Sequence, residues 1–184
     1  HRGIFKQRLL QAGWPVEDLA GFLPGAALEV KLRNETRTTE DPFKVRHYQW
    51  LSVHRWYQGG QAAGGHGVVV LPCGAGKTIV AMAAMSVINT HTLILATNQA
   101  AVNQWERELL ERTWLTKDQV GTYTGERKEI KPVTIATYQV ITRRTKGEYR
   151  HLELFDSRDW GLIIYDEVHL LPAPVFRMTA DLQS

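Results

Sequence analysis

Short apolar runs alternate with longer helical patterns along most of the chain. The apolar runs are VVVLP (Val68 to Pro72), TLILAT (Thr92 to Thr97), VGTYTG, VTIAT and WGLIIYDE. Two helical patterns lie among them, the apolar TIVAMAAMSVI (Thr78 to Ile88) and the amphipathic AAVNQWERELLER (Ala100 to Arg112). Strands made of continuous Val, Ile and Leu are typical of a parallel sheet that helices cover on both faces. The pattern therefore predicts an α/β fold with a mainly parallel sheet flanked by helices.

The segment before Val68 has a more irregular pattern. It predicts short helices at Ile4 to Leu10 and from Pro15 onwards, followed by a half-buried strand at Leu28 to Leu32. The polar stretch NETRTTEDP (Asn34 to Pro42) predicts a linker or exposed loop, and helical spacing returns at Val45 to Tyr57. We therefore expect residues 1–40 to form a short helical and strand segment with a linker, and residues 41–184 to form the sheet domain.

The composition narrows the class of protein. The chain has 184 residues, of which 43% are hydrophobic, and a single cysteine. One thiol cannot form an internal disulfide or a cysteine-rich zinc cluster, so we expect a reducing, cytoplasmic setting. Every apolar run is shorter than the ~20 residues that span a bilayer, so we expect no membrane partner. The net charge of +3 allows nucleic-acid binding without indicating it.

The six tryptophans are interpreted mainly as core residues. Trp105 and Trp114 lie on or beside the amphipathic helical pattern, and large aromatic side chains are usually buried there. The sequence indicates no exposed platform on which bases could stack.

The segment LPCGAGKT (Leu71 to Thr78) carries the strongest chemical signal and lies between a predicted strand and a predicted helix. It matches the GxGKT core of a phosphate-binding loop, although Leu71 occupies the position of the first glycine. Glycines let backbone N–H groups surround phosphate oxygens, and the following helix adds the positive end of its dipole. The expected nucleotide-binding residues of this loop are Pro72, Cys73, Gly74, Ala75, Gly76, Lys77 and Thr78. The alternative is a glycine-rich turn that only links strand to helix.

Within this loop, Lys77 is expected to contact the β- and γ-phosphates, and the Thr78 hydroxyl to ligate Mg²⁺. Cys73 is interpreted as a small loop residue, because no His or Cys is placed in the sequence to activate its thiol.

The segment LIIYDEVH (Leu162 to His169) supplies a second candidate site. Its apolar residues predict a buried strand that ends in two carboxylates, where an α/β sheet exposes its ligand crevice. Asp166 is expected to hold Mg²⁺, and Glu167 to orient and deprotonate the water that attacks the γ-phosphate. The alternative is an acidic start to a following helix. Together with the phosphate-binding loop, the catalytic interpretation is favoured.

These segments together resemble the superfamily 2 helicases, and specifically the XPB family of DNA-repair and transcription helicases in its bacterial or archaeal form. The likeness rests on RHYQ (Arg46 to Gln49), the phosphate-binding loop, TNQAAVNQW (Thr97 to Trp105), ATYQ (Ala136 to Gln139) and WGLIIYDEVHLLPAPVFR (Trp160 to Arg177). It implies a RecA-like P-loop NTPase lobe at residues 41–184. It also implies that residues 1–40 contain the end of an N-terminal DNA-engaging region.

The resemblance adds roles for further residues. Gln49 resembles the glutamine that reads adenine, Arg46 supports that loop, and His169 resembles the residue that couples the catalytic Lys77, Asp166 and Glu167 to a partner lobe. Contacts to the phosphates of one nucleic-acid strand are implied for Thr97, Asn98, Thr124, Gly125 and Thr137. For these five residues, ordinary strand-end and helix-capping roles are an equal alternative.

The resemblance also implies a protein with two RecA-like lobes. We expect this chain to be a fragment that is incomplete at its C-terminal end, since the family places a second lobe and its arginine fingers further on. The leading hypothesis is the ATP- and Mg²⁺-binding motor lobe of a 3′–5′ DNA helicase or translocase that acts in DNA repair or transcription-linked DNA opening. Such an enzyme would associate with the nucleoid in a bacterium, with repair nucleases or transcription proteins as partners. The alternatives are the motor segment of a restriction endonuclease and a non-motor binding module that retains a nucleotide fold.

Overall fold

The computed structural model describes residues 12, 24–61, 64–145, 148–149 and 153–170. The helices expected at Ile4 to Leu10 and from Pro15 onwards lie outside these residues, as does the end of the WGLIIYDEVHLLPAPVFR segment. Among the described helices, none has the length and hydropathy needed to cross a membrane.

The elements follow one another as the apolar pattern predicts after Thr78. The helices are α1 His47–Tyr57, α2 Lys77–Ile88, α3 Gln99–Arg112, α4 Tyr138–Thr142 and α5 Glu153–Asp156, with 3₁₀ turns at Gln58–Gly60 and Val168–Leu170. The strands are β1 Thr92–Ala96, β2 Val120–Tyr123, β3 Val133–Thr137, β4 Arg144–Thr145, β5 Glu148–Tyr149 and β6 Leu162–Tyr165.

Four of the strands form one parallel sheet in the order β2-β3-β1-β6, and β4 pairs with β5 in a separate antiparallel hairpin. Successive β1 side chains point to opposite faces, so Ile94 joins a core cluster with Met82, Trp105 and Leu109 from the helices. Leu95 joins a second cluster on the opposite face. The predicted α/β fold with a parallel, helix-covered sheet is thus confirmed.

The strand predicted at Val68 to Pro72 is wrong. These residues form no strand, and the side chains of Val68 and Val70 are 68% and 85% exposed. A run of valines has the propensity for a strand, but a strand also needs a hydrogen-bonding neighbour. Among the described residues, β6 pairs only with β1, and the Val68 to Pro72 segment adds to neither edge of the sheet.

The elements predicted between Leu28 and Pro42 are partly confirmed. Leu28 and Val30 are buried while Glu29 and Lys31 are exposed, which confirms the alternation, but single bridges replace a strand ladder. The predicted loop at Asn34 to Pro42 is exposed and folds back on itself through the Phe43 N–H, which donates to the Asn34 carbonyl at 2.7 Å. It also rests on α3, because the Thr38 N–H donates to Glu111 Oε2 at 3.0 Å.

The two tryptophans singled out from the sequence have different environments. Trp105 is 3% exposed, as predicted, whereas Trp114 is 61% exposed, so its assignment to the core is wrong. Trp114 follows the end of α3, where the spacing of the helix no longer directs a side chain inward. Its ring is covered instead by the Arg33 guanidinium, 3.9 Å from the ring centroid.

Candidate functional site

The carboxyl ends of the parallel strands form one edge of the sheet. Ala96 at the end of β1 lies opposite Thr137 at the end of β3, and Leu95 lies opposite Tyr165 at the end of β6. The Asp166 N–H continues the pairing by donating to the Leu95 carbonyl at 2.9 Å. Ligands of open α/β sheets bind at this kind of edge. The residues that follow these strands therefore lie where a ligand site is expected.

The glycines of the phosphate-binding loop meet a steric requirement. Gly74 and Gly76 have φ values of 76° and 78°, which other residues rarely adopt. A Cβ atom on Gly76 would also lie 2.6 Å from Gln49 Nε2. Gly76 is the N-cap of α2, so the free N–H groups of the first helical turn face this loop. The loop and helix together form the type of backbone cradle that binds anions.

Lys77, the first residue of α2, forms an ion pair with Glu167 through Nζ and Oε1. The hydrogen bond from Lys77 lowers the pKa of Glu167, and the same bond raises the pKa of Lys77. Both groups are therefore charged at neutral pH. Glu167 also has a φ of 49°, an uncommon value for a residue with a side chain, which turns the chain sharply after β6.

Asp166 is held by three hydrogen bonds, one each at its N–H, its carbonyl and its Oδ2. Besides the backbone bond to Leu95, its Oδ2 accepts from Trp105 Nε1 at 2.9 Å, and its carbonyl accepts from the Tyr138 hydroxyl at 2.7 Å. Burial raises the pKa of Tyr138, so this hydroxyl stays protonated as a donor. The arrangement fixes the position of the carboxylate in the site.

These groups line one cavity of about 380 Å³. It brings together most of the residues assigned to phosphate, metal and catalysis: Gly74, Gly76, Lys77, Thr78, Asp166 and Glu167. Its other wall is α3, which contributes Gln104, Trp105, Glu108 and Arg112. Two positive side chains, backbone donors and three carboxylates thus share one space, which suits a polyphosphate with a divalent cation.

A second cavity of about 420 Å³ lies against the other side of the loop. It is lined by the predicted Arg46, Gln49, Gly74, Ala75 and Gly76, and by Thr36, Asp41, Phe43 and Arg112, which sequence reasoning missed.

Gln49 is buried, and its amide already has partners on both sides. Nε2 donates to the Ala75 carbonyl at 3.0 Å, and Oε1 accepts from the Arg46 N–H at 2.8 Å. The structure therefore places Gln49 as a brace between the start of α1 and the phosphate-binding loop.

Three predicted residues lie at the margin of these cavities. Pro72 and Cys73 are exposed and line neither cavity. His169 is exposed on the 3₁₀ turn, with Nδ1 3.5 Å from Glu167 Oε2. The structure thus brings His169 next to the catalytic candidate without burying it.

The five residues assigned to nucleic acid all lie at the carboxyl edge of the sheet, but not all are accessible. Thr124 and Thr137 are buried, while Asn98 and Gly125 are exposed. The Thr124 hydroxyl accepts from the N–H groups of Glu126 and Arg127, and the Asn98 side chain caps α3 by accepting from the Ala101 N–H. These bonds match the capping and turn alternative, and nucleic-acid contact through the five residues stays a prediction.

Sequence reasoning also missed the hydrogen bonds from Trp105 and Tyr138 to Asp166. Trp105 was interpreted as core, which is right for its ring. A buried indole N–H nevertheless needs an acceptor, and that requirement is the one signal in the sequence that pointed to a polar role. The partner itself lies 61 residues along the chain and could not be named from spacing.

Comparison with known proteins places this chain in a family. The chain is 63% identical to the DNA 3′-5′ helicase XPB of Mycobacterium tuberculosis (strain ATCC 25618 / H37Rv) over 183 residues, which is 100% of this chain and 31% of that protein. It is 58% identical to the protein of the same name in Kineococcus radiotolerans (strain ATCC BAA-149 / DSM 14245 / SRS30216), with the same two coverages. The chain thus spans about a third of the length of these curated relatives.

A solved structure supports the fold alone. The UvsW helicase from bacteriophage T4 superposes with a TM-score of 0.59 at 17% identity, covering 98% of this chain and 66% of that chain.

The family model described as "Type III restriction enzyme, res subunit" matches residues 42–182. The chain belongs to that family, and the identities to the two bacterial proteins confirm its resemblance to the XPB helicases.

Proposed function

We propose that this chain is the ATP-binding first lobe of an ATP-dependent 3′–5′ DNA helicase or translocase. The observation that carries the proposal is the meeting of Lys77 and Glu167 in one cavity with Thr78 and Asp166. The two motifs come from distant parts of the chain, and together they supply the ammonium, hydroxyl and carboxylate groups that phosphoryl transfer from a nucleotide uses. The identity to proteins named as DNA helicases supports the choice of motor.

The triphosphate of ATP would lie on the loop between Gly74 and Thr78. Backbone N–H groups at the start of α2 would donate to phosphate oxygens, and the Lys77 ammonium would approach the terminal phosphates. The base would extend into the second cavity, where Gln49 and Phe43 form part of the lining. Gln49 already uses one amide N–H for the Ala75 carbonyl and one lone pair of Oε1 for the Arg46 N–H. It could contact the base only through the second N–H and the second lone pair of the same amide.

The residues present fit a magnesium ion. Thr78 and Asp166 line the same cavity and offer hydroxyl and carboxylate oxygens, the ligand type that Mg²⁺ prefers. Asp166 Oδ2 accepts a hydrogen bond from Trp105 Nε1, whereas Oδ1 accepts none from the described residues and is the oxygen left to ligate the ion. When bound, the ion would neutralise charge on the phosphates as they react.

Glu167 must leave Lys77 before it can act on water. In the ion pair, its carboxylate is ionised and accepts from the Lys77 ammonium. Phosphate oxygens would compete for the same ammonium, so nucleotide binding would release Glu167 toward the attacking water. The exposed His169, 3.5 Å from the carboxylate, would then face a second lobe. The ion pair therefore marks the resting form of the site.

The nucleic-acid face would be the same edge of the sheet. Thr97 and the exposed Asn98 follow β1, and Gly125 follows β2, which leaves polar backbone and side-chain groups for phosphate contacts. We propose that a second RecA-like lobe completes the groove and that the enzyme works on cytoplasmic or nucleoid DNA in repair or transcription-linked opening. The family description also keeps a restriction-enzyme motor as the alternative, but the 63% identity over the whole chain favours the helicase.

Titration of the chain with a fluorescent ATP analogue, with and without Mg²⁺, tests the nucleotide site. We expect saturable binding that Mg²⁺ tightens. The variant Glu167→Gln should bind the analogue at least as tightly as the wild type, because Lys77 no longer has a carboxylate partner. In a full-length protein the same variant should lose hydrolysis by roughly a hundredfold or more, the usual scale for a missing general base.

Glu29→Gln is the matched control, since it disrupts a surface ion pair with Lys31 (2.8 Å) and should change neither quantity. A wild-type chain that binds no nucleotide would rule the proposal out. A full-length protein that binds nucleotide and DNA but never hydrolyses ATP would favour the non-motor module, and DNA cleavage would favour the restriction enzyme.

A further inference from the structure

Two aromatic side chains hold Asp166 from different elements. Trp105 Nε1 donates to the carboxylate at 2.9 Å, and the Tyr138 hydroxyl donates to the carbonyl at 2.7 Å. Trp105 is 3% and Tyr138 6% exposed, so neither donor can exchange its partner for bulk water at low cost. Each bond is therefore a fixed connection between Asp166 and the element that carries the donor.

Each connection leads back to the nucleic-acid edge of the sheet. Trp105 lies on α3, whose first turn is capped by the Asn98 side chain at 2.9 Å from the Ala101 N–H. Tyr138 is the first residue of α4 and directly follows Thr137 at the end of β3. Asn98 is one of the positions at which the proposed function puts DNA phosphates, and the buried Thr137 ends the neighbouring strand at the same edge of the sheet.

The rings of both donors are packed in the core. The Trp105 ring lies in the core cluster with Ile94 and Leu109, and the Tyr138 ring lies in the opposite cluster with Leu95. Close-packed interiors transmit small displacements rather than absorb them. A shift of α3 or α4 would thus move Asp166, and with it Glu167, whose left-handed backbone follows directly.

We propose that Trp105 and Tyr138 are positioning residues that couple DNA contact along the sheet edge, where Asn98 is exposed, to the placement of Asp166 and Glu167. This inference rests on the proposed function. Trp105 acts on the carboxylate and so sets how well Asp166 presents an oxygen to Mg²⁺. Tyr138 acts on the backbone and so sets the angle at which the chain turns into Glu167.

Trp105→Phe and Tyr138→Phe in a full-length protein separate the two roles. For Trp105→Phe, the Mg²⁺ concentration that half-saturates nucleotide binding should rise about tenfold to a hundredfold, the scale for partners of metal ligands. Nucleotide affinity without Mg²⁺ should stay unchanged. Tyr138→Phe should lower the DNA-stimulated kcat roughly threefold to tenfold, as for loss of one hydrogen bond, with a smaller fall in the DNA-free rate and an unchanged KM for ATP.

Matched controls remove the same groups elsewhere. Tyr123→Phe deletes a hydroxyl from an equally buried ring (6% exposed) of the same cluster on β2, at the opposite side of the sheet from β6. Trp114→Phe deletes an exposed indole that stacks on Arg33. Both controls should keep wild-type Mg²⁺ dependence and wild-type stimulation by DNA.

The outcomes distinguish this inference from the function on which it rests. If the wild type binds Mg²⁺–nucleotide and is stimulated by DNA while both aromatic variants behave like their controls, the coupling is refuted and the proposed function stands. If the aromatic variants lower the DNA-stimulated and DNA-free rates by the same factor and leave the Mg²⁺ requirement unchanged, the two residues only stabilise the fold, and the coupling is again refuted. If the wild type binds no nucleotide, the proposed function fails first and the coupling falls with it. Because Tyr138→Phe is nearly isosteric, it tests the coupling even if Trp105→Phe unfolds.

Discussion

Replacing Lys77 with alanine in a full-length protein is expected to lower DNA-stimulated ATP hydrolysis by at least about a hundredfold, the scale seen when one group that stabilises a reacting oxyanion is removed. Lys77 begins α2 beside the glycines of the loop, and its ammonium lines the 380 Å³ cavity together with Asp166 and Glu167. The variant should also bind the nucleotide more weakly, because phosphate oxygens lose a charged donor.

Steady-state ATPase assays with and without DNA measure this effect, and a fluorescent nucleotide titration separates binding from chemistry. Lys31→Ala is the control, since it removes a lysine of the same length from a solvent-exposed pair with Glu29. We expect the control to keep the wild-type rate. Retention of that rate by Lys77→Ala would exclude the assigned nucleotide site.

Loss of Lys77 would also change the pKa of Glu167 in the site without nucleotide. The hydrogen bond from Lys77 is the main cause of the lowered pKa of Glu167. Without it, the pKa of Glu167 should rise toward its ordinary value, so a smaller fraction of the carboxylate would be ionised in mildly acidic solution. We therefore expect Lys77 both to bind the nucleotide and, before it binds, to hold Glu167 in the ion pair.

The parts of this site that could be predicted from the sequence are those formed by residues adjacent in the chain. Gly74, Gly76, Lys77 and Thr78 stand together between a loop and a helix, and a helix does begin at Lys77. Asp166 and Glu167 follow an apolar strand, and β6 does end at Tyr165. Local spacing suffices here, because the chemistry and the turn of the backbone belong to one short segment.

The parts that did not follow depend on neighbours far along the chain. Trp105 and Tyr138 reach Asp166 across 61 and 28 residues, and no local pattern encodes those distances. The Asn34 to Pro42 loop was predicted as exposed, but its contact with Glu111 on α3 comes from folding. The valines from Val68 to Val70 have strand propensity without a strand, because pairing is a property of the sheet and not of the segment.

Half of the hydrolysis machinery is expected to come from outside this chain. In the proposed site Glu167 would activate water and Lys77 would contact the phosphates. The arginine that lines the described cavity, Arg112, is held in an ion pair with Glu108 at 2.7 Å. An arginine that already pairs with a carboxylate on its own helix is poorly placed to stabilise the charge that develops on a γ-phosphate. The XPB resemblance implies arginine fingers from a second lobe, and the chain spans 31% of its M. tuberculosis relative.

We therefore expect the isolated chain to bind ATP but to hydrolyse it about 10³-fold or more slowly than a full-length protein, the lower end of the contribution of an arginine finger. Single-turnover hydrolysis measured on nucleotide-saturated protein makes the comparison independent of affinity. Adding DNA should leave the slow rate of the chain unchanged, because closure between two lobes cannot occur. A DNA-stimulated rate from the chain that matches the full-length protein would contradict the division of the site between lobes, since Lys77, Asp166 and Glu167 would then suffice.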